Sequence, residues 1–143
     1  MSPPVIKAVR KKAGAGMPVI VDAPPGTSCP VIEAVRGSDF CLLVTEPTPF
    51  GLNDLKLAVA TVRLLGIPLG VVMNRVGVGD SATEAFCAEE DIELMMSIPY
   101  DKNIARAYSQ GIPLVGAFSE YKESFVRLYE RIEERVNERI GHP

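Results

Sequence analysis

PVIVDAPPGTS, at residues 18–28, is the stretch that most directly indicates the fold of this chain. Three β-branched apolar residues run into Asp22, and a Pro-Pro-Gly loop follows. This pattern predicts a buried strand, Met17–Asp22, that presents a carboxylate at its C-terminal end. A carboxylate beside a loop whose backbone amides near Gly26 can face an anion suits a site for magnesium and phosphate.

A phosphate-binding loop of the G-x-x-x-x-G-K-[ST] type does not occur in these 143 residues, because no lysine is followed by Ser or Thr. Such a loop supplies most of the attraction for a nucleotide's phosphates. The sequence therefore predicts the second half of a nucleotide site, without the lysine that grips the phosphates.

Composition and net charge narrow the classes of protein to which this chain can belong. The chain is 47% hydrophobic and 23% charged, as expected for one globular domain spanning residues 1–143. A net charge of −3 offers no electrostatic basis for binding nucleic acid or an anionic membrane. The most apolar stretch, residues 57–73, is interrupted by Arg63, Gly66 and Pro68, so no membrane span is expected. With no signal peptide at the N-terminus, a cytoplasmic location is expected.

The three cysteines, Cys29, Cys41 and Cys87, are odd in number, widely spaced and not part of a C-x-x-C motif. A disulfide framework or a zinc site is therefore not expected. His142 is the single histidine and lies in the C-terminal tail, so it is not a candidate metal ligand.

Strand-like apolar runs alternate with helical periods along the chain, which is typical of a parallel α/β sheet flanked by helices. The expected strands are residues 17–22, 40–45, 69–73, 93–98 and a short edge strand at 113–115. The expected helices are residues 3–13, 28–37, 52–65, 80–90, 102–110 and a long one from Ser119 onward.

Polar and turn-forming residues follow four consecutive strands of this predicted sheet. They are Asp22–Gly26, Thr45–Thr48, Asn74–Arg75 and Pro99–Asp101. Ligands of open α/β sheets bind beyond the carboxyl ends of the strands, so these groups are expected to surround one hollow for a purine and its metal.

Asp22 is the first candidate site residue. We expect its carboxylate to act in catalysis by holding Mg²⁺ through water, while Gly26 and Thr27 contact the phosphates. The alternative is that Asp22 only begins a turn ahead of two prolines.

Asn74 could pair its side-chain amide with the edge of adenine, or it could simply end a strand. Pro99 and Tyr100 are expected to shape the base pocket through their backbone. Asp101 either lines that pocket or caps the next helix, and capping is the preferred interpretation. Glu46 could face either the nucleotide or solvent.

Residues 77–82, GVGDSA, match the dinucleotide fingerprint G-x-G-x-x-A. Asn74, Arg75 and Val76 are expected to separate the strand from the first glycine, which would remove the tight turn that this fingerprint needs. A small dinucleotide-binding protein is therefore kept only as an alternative function.

Four segments carry a family resemblance: VIVDAPPGTSCPVI, LLVTEPTPFGLNDLKLAV, GVVMNR and IPYDKNIARAYSQGIPLV. Together they resemble the C-terminal half of the MinD/ParA-type deviant P-loop ATPases, and most closely the MinD-like subfamily with an inserted ferredoxin domain. The resemblance implies a partial P-loop NTPase fold that lacks the phosphate-loop strand. It implies that Asp22 is the magnesium-linked switch aspartate, and that Asn74 and Pro99 are adenine-pocket positions.

The resemblance also implies ATP or ADP with Mg²⁺ as ligands, bound weakly or incompletely here. The family's phosphate loop and ferredoxin cysteines would precede residue 1, so Met1 is expected to begin either a fragment or a shortened relative. An iron–sulfur cluster, and with it a redox or cluster-assembly function, is expected only in a longer parent. The absent strand would leave edges unpaired, which predicts a homodimer or association with the missing N-terminal half. The alternative from another class is a non-catalytic dimerisation module.

Overall fold

The structure, a computed structural model, describes residues 18–141. The helix expected at residues 3–13 lies outside the described residues, as does Met17.

The described residues form six helices and three strands in a largely alternating order. The helices are α1 (Cys29–Val35), α2 (Pro49–Leu64), α3 (Ala82–Glu89), α4 (Lys102–Ser109), α5 (Leu114–Ala117) and α6 (Glu120–Gly141). The strands are β1 (Cys41–Thr45), β2 (Leu69–Val76) and β3 (Leu94–Pro99).

The three strands form one parallel sheet in the order β1-β2-β3. β1 and β2 pair in unbroken register from Cys41 opposite Leu69 to Thr45 opposite Met73. The β2–β3 pairing is irregular, with register shifts after Val71 and again after Met73. Parallel neighbours need crossover connections, and α2 and α3 lie between the paired strands in the chain.

The core lies on both faces of the sheet because successive strand residues point to opposite sides. Val71 belongs to a cluster with residues of α2 and α3, and the adjacent Val72 belongs to another with Leu128 of α6. A third cluster fills the other end of α2. Helices therefore cover both faces, and the predicted fold class, a parallel α/β sheet flanked by helices, is confirmed.

The expected helix ends agree closely with the structure. Gly66, with φ of +67°, follows α2, where its N–H donates to the Arg63 carbonyl and that of Ile67 donates to the Val62 carbonyl. A left-handed glycine at this position is how many helices terminate, so the sequence located this stop correctly.

The strand predicted at Met17–Asp22 is wrong over its described part. Residues 18–22 have no regular secondary structure, and the Ile20 side chain is 91% exposed. Strand geometry persists only when a neighbour satisfies the backbone groups, and within residues 18–141 β1 pairs with β2 alone. The apolar run at residues 18–22 therefore has no strand partner in the described chain and is irregular.

The edge strand predicted at residues 113–115 is also wrong, because Leu114–Ala117 form the short helix α5. Pro113 precedes its first turn, and its carbonyl accepts hydrogen bonds from Gly116 and Ala117. A short apolar run fits a strand and a buried helical turn equally well, so periodicity could not separate them.

Candidate functional site

The carboxyl ends of all three strands meet at one edge of the sheet, which we call the rim. Thr45 at the end of β1 lies opposite Met73 of β2, and Val76 of β2 lies opposite Pro99 of β3. The rim therefore brings together three of the four polar groups that the sequence placed after strands, at residues 45–48, 74–75 and 99–101.

The end of β2 is distorted where two of these residues lie. The β2–β3 register shifts between Met73 and Val76, and Arg75 has a left-handed backbone with φ of +57°. The Arg75 N–H donates to Asn74 Oδ1 at 3.0 Å. An amide oxygen has a second lone pair and the amide nitrogen has two hydrogens, so the half-buried Asn74 can still donate to and accept from a ligand.

The Arg75 side chain spans the rim from β1 to β3. Its Nη1 lies 3.4 and 3.3 Å from the two carboxylate oxygens of Glu46. Its Cζ lies 5.4 Å from the centre of the Tyr100 ring, within the range of a cation–π contact. Glu46 therefore faces across the rim and pairs with Arg75, and it does not simply face solvent.

The segment after β3 is fixed by its backbone and by a helix cap. The Tyr100 N–H donates to the Val76 carbonyl at 2.9 Å, which holds Tyr100 against the end of β2. Asp101 is the N-cap of α4, and its Oδ1 accepts from the Asn103 N–H at 2.7 Å. The preferred interpretation of Asp101 as a capping residue is confirmed.

The loop after β1 is tied to the start of α2 by hydrogen bonds that sequence reasoning did not foresee. Thr45 Oγ1 donates to the Gly51 carbonyl at 3.1 Å, and the Gly51 N–H donates to Thr48 Oγ1 at 3.0 Å. A Cβ on Gly51 would overlap the Glu46 carbonyl oxygen, so only glycine allows this close packing. The Thr-x-x-Gly spacing was the available signal.

The match of residues 77–82 to the dinucleotide fingerprint is explained by packing between two loops of the chain. β2 continues to Val76, so Gly77 follows the strand directly, and the expected separation of strand and glycine is wrong. A Cβ on Gly79 would overlap the Pro47 carbonyl oxygen. Gly79 is therefore required for packing of this loop against the loop after β1, without a dinucleotide.

Asp22, Gly26 and Thr27 are exposed and lie in the irregular segment before α1. Gly26 has φ of +97°, which favours glycine. Between residues 18 and 141, no cluster of three His, Cys, Asp or Glu side chains could hold a metal ion. A magnesium ion near Asp22 would need most of its oxygen ligands from phosphate and water.

The cysteines of the described chain are free, with Cys41 and Cys87 buried and Cys29 exposed. Burial raises the pKa of the Cys41 thiol, and burial together with the nearby Glu84 carboxylate raises the pKa of Cys87. Thiolates are the ligands of iron–sulfur clusters, so the two buried cysteines do not suit such a site.

Comparison with known sequences finds relatives in archaea. No protein-family model matches the chain. An uncharacterized protein of Methanocaldococcus jannaschii is 41% identical over 92 residues, which are 64% of this chain and 31% of that protein. An iron-sulfur cluster carrier protein of the same organism is 26% identical, over 82% of this chain and 46% of that protein.

Comparison with solved structures finds MinD ATPases. The cell division ATPase MinD of Pyrococcus furiosus superposes with a TM-score of 0.67 at 30% identity, over 92% of this chain and 56% of that one. The septum site-determining protein MinD of Pyrococcus horikoshii, complexed with Mg-ADP, gives a TM-score of 0.64 at 27% identity, over 91% and 54%. The chain is related to the MinD/ParA-type P-loop ATPases.

This MinD-like chain spans less than half the length of the two curated relatives above and just over half of the two solved MinD chains. No helix within residues 18–141 combines the length and the apolar character needed to cross a membrane.

Proposed function

We propose that the chain is a nucleotide-binding half-domain of a MinD-like ATPase, and that its rim binds the purine end of ATP or ADP. The observation that carries this proposal is the convergence at one edge of the sheet of Glu46, the Asn74–Arg75 bulge and the Pro99–Asp101 segment. One solved MinD relative is a complex with Mg-ADP, which agrees with this ligand class.

In the proposed site, Asn74 pairs with the purine edge because its amide offers donor and acceptor side by side. Pro99 and Tyr100 shape the pocket beside it, and the hydrogen bond from Tyr100 to the Val76 carbonyl fixes their distance from β2. Asp101 supports the pocket indirectly, because its carboxylate caps the N-terminus of α4 by accepting the Asn103 N–H.

At the phosphate end, we propose that Asp22 orients water around Mg²⁺ and that Gly26 and Thr27 contact phosphate oxygens. Bound Mg²⁺ would offset the charge of the phosphates. The exposure of these three residues leaves them accessible to such a ligand. Without a lysine loop, we expect the chain alone to bind nucleotide weakly and not to hydrolyse it.

A partner polypeptide completes the site in this proposal. Within the described chain the outer edge of β1 pairs with no strand, and Val44, on one face of this strand, is 66% exposed. An additional strand at this edge would pair with β1 and could carry the phosphate-binding loop to the rim. The N-terminal half of a longer parent could supply both the strand and the loop, whereas a second copy of the chain, which contains no such loop, could supply only a strand.

The side chains of residues 18–141 do not form an iron–sulfur cluster site of their own. Although relatives include an iron-sulfur cluster carrier, residues 18–141 contain no group of three potential ligands, and two of the three cysteines are buried. We assign any cluster to a longer parent or to a partner. The cytoplasmic location expected from the sequence stays a prediction.

Calorimetric titration of Mg-ADP into the 143-residue chain tests the proposal. We expect weak binding that Asn74→Ala reduces about two- to tenfold, as for one lost hydrogen bond. Asn137→Ala, which truncates an exposed asparagine on α6, is the matched control and should leave affinity unchanged. Equal loss in both variants, or no binding at millimolar Mg-ADP, would contradict the proposal.

A separate assay tests Asp22. In Mg-ADP titrations, Asp22→Ala should bind more weakly than the unmodified chain, and equal affinities would show that the role assigned to Asp22 is wrong.

The second candidate is a non-catalytic dimerisation module, which the exposed apolar residues 19–21 and the open β1 edge favour. A dimer that persists at low concentration, together with indifference to ATP, ADP and adenosine, would support this function over nucleotide binding.

A further inference from the structure

The long helix α6 carries a second apolar surface beside the one that packs on the sheet. Leu128 is buried against residues of β2 and β3, whereas Phe125, Val126 and Tyr129 are 38%, 49% and 39% exposed. Together with residues of α5, these three side chains line a mostly apolar groove of about 570 Å³. A groove of adjacent apolar side chains is a common contact site for the helix of another molecule.

The two ends of this surface carry charges of opposite sign. Lys122 lines the groove near the start of α6. Glu133 lies one turn beyond Tyr129, whose hydroxyl donates to Glu133 Oε1 at 2.7 Å. Among residues 18–141, the Lys122 ammonium forms no ion pair or hydrogen bond, and Glu133 Oε2 accepts none. Both charged groups can therefore bind a partner without breaking a contact within the described chain.

The spacing of these residues is the same in both directions along the helix. Successive intervals of four, three and four residues separate Lys122, Val126, Tyr129 and Glu133. Residues at such intervals lie along one side of a helix. In two antiparallel copies of α6, each Lys122 therefore meets the partner's Glu133, and each Val126 meets the partner's Tyr129. Self-complementarity of this kind is what a two-fold symmetric contact requires.

The charges also exclude the parallel arrangement. In a parallel pair of α6 helices, the two lysines would lie side by side at one end and the two glutamates at the other, and like charges in contact are unfavourable. The stretch from Lys122 to Glu133 is about 16 Å long, at about 1.5 Å per residue. A contact of this length is small, so the association is expected to be weak.

We propose that α6 and the groove beside it form a contact between two copies of this chain. The two α6 helices pack antiparallel, with Val126 and Tyr129 at the centre and an ion pair between Lys122 and Glu133 at each end. This surface is separate from the rim and from the outer edge of β1. The proposal therefore does not depend on nucleotide binding or on strand pairing.

Charge reversal in the Val44→Lys chain tests the contact. Val44→Lys discourages pairing at the β1 edge and should leave association through α6 in place. Lys122→Glu and Glu133→Lys each put like charges at both ends of the symmetric pair. Each should raise the dimer Kd, measured by sedimentation equilibrium, about tenfold.

Arg127→Glu is the matched control. It changes the net charge by the same amount as Lys122→Glu, at an exposed residue of α6 that does not line the groove. We expect the dimer Kd to stay within about twofold of the parent value. A rise equal to that of Lys122→Glu would show a general effect of charge and would overturn the proposal.

The two reversals should compensate each other. A mixture of the Lys122→Glu and Glu133→Lys chains restores opposite charges at both ends of a mixed dimer, and so does a homodimer that carries both substitutions. We expect both to associate about as tightly as the parent chain. If neither recovers, while urea denaturation shows every variant to be folded, the pairing of Lys122 with Glu133 is wrong.

The parent chain itself provides the last test. If it remains monomeric at millimolar concentration, the proposal is overturned, and the groove is left to residues 1–17 of the same chain or to a different protein.

Discussion

The two outer strands of the sheet have opposite surroundings. β3 is covered by the long helix α6, whose Arg131 Nη1 donates to the Met95 carbonyl of the strand at 2.5 Å. β1 has no such cover on its outer side within residues 18–141, and its Val44 side chain is two-thirds exposed. Unpaired strand edges associate with other strands unless something blocks them.

The cover on β3 is a network of charges as well as a hydrophobic contact. Glu93, just before the strand, forms ion pairs with both Arg131 and Arg135 of α6, the latter at 2.8 Å. Leu128 of the same helix is buried against residues of β2 and β3. The two edges therefore differ: the outer side of β3 contacts α6, whereas the outer edge of β1 has no strand partner within residues 18–141, and this is where we propose that a further strand pairs.

The largest effect is expected where α6 packs on the sheet. Leu128 is only 6% exposed, so Leu128→Ala should lower the free energy of unfolding by about 2–5 kcal/mol, measured by urea denaturation. Leu64→Ala, at a leucine that is 89% exposed, should change it by about 0.5 kcal/mol or less. Equal effects of the two variants would mean that α6 does not cover β3.

Arg131→Met should destabilise the chain by about 1–3 kcal/mol, because it leaves the Met95 carbonyl without its donor and Glu93 without one partner. Arg127→Met is the matched control on the same helix. Arg127 forms an exposed ion pair with Glu123. Arg127→Met should therefore hardly change the free energy of unfolding in the same urea titration. Comparable losses would show that the carbonyl contact contributes nothing.

The Glu93 carboxylate makes the cover on β3 sensitive to acid. The hydrogen bond from Arg131, assisted by Arg135 and by both positive charges, outweighs partial burial and lowers the pKa of Glu93 below its ordinary value of 4.5. The stabilisation is therefore complete above pH 4.5 and is lost as the pH falls through the folded-state pKa.

Glu93→Gln should remove this pH dependence. The difference in unfolding free energy between the unmodified chain and the variant should be about 1 kcal/mol or less at pH 7 and should shrink on acidification. A difference that stays constant between pH 7 and pH 3 would contradict the assigned ion pairs.

The smallest effect on stability is expected at the open edge. Val44→Lys places a charge on exposed β1 and should change the unfolding free energy by about 0.5 kcal/mol or less. It should nevertheless weaken any self-association seen by sedimentation velocity, because lysine discourages strand pairing. Leu64→Lys, at the more exposed Leu64 of α2, is the control, and equal weakening by both variants would show that β1 is not the contact.

The sequence predicted the elements whose partners lie within the chain. The strands at residues 40–45, 69–73 and 93–98 were found because their apolar runs pack against α2, α3 and α6. The run at 18–22 is similarly rich in apolar residues, yet it has no strand partner within the described chain and is irregular. The local pattern of apolar residues indicates which segments suit a strand. It cannot indicate whether a neighbouring strand is present to pair with them.

The candidate site was predictable to a similar degree. Asn74, Tyr100 and Asp101 were located on the rim because parallel strands end at the same edge. The left-handed Arg75 and its bridge to Glu46 were missed, since a register shift leaves no signature in a single sequence. The roles of Asp22, Gly26 and Thr27 stay predictions.

If the rim is the purine end of a nucleotide site, as we propose, Mg-ADP should perturb it, and backbone amide NMR of the titrated chain is the sharpest test. We expect the amides of residues 74–76 and 100–103 to shift, while those lining the apolar groove between Val115 and Tyr129 stay constant. Shifts concentrated in that groove, or no shifts at the rim at saturating Mg-ADP, would contradict it.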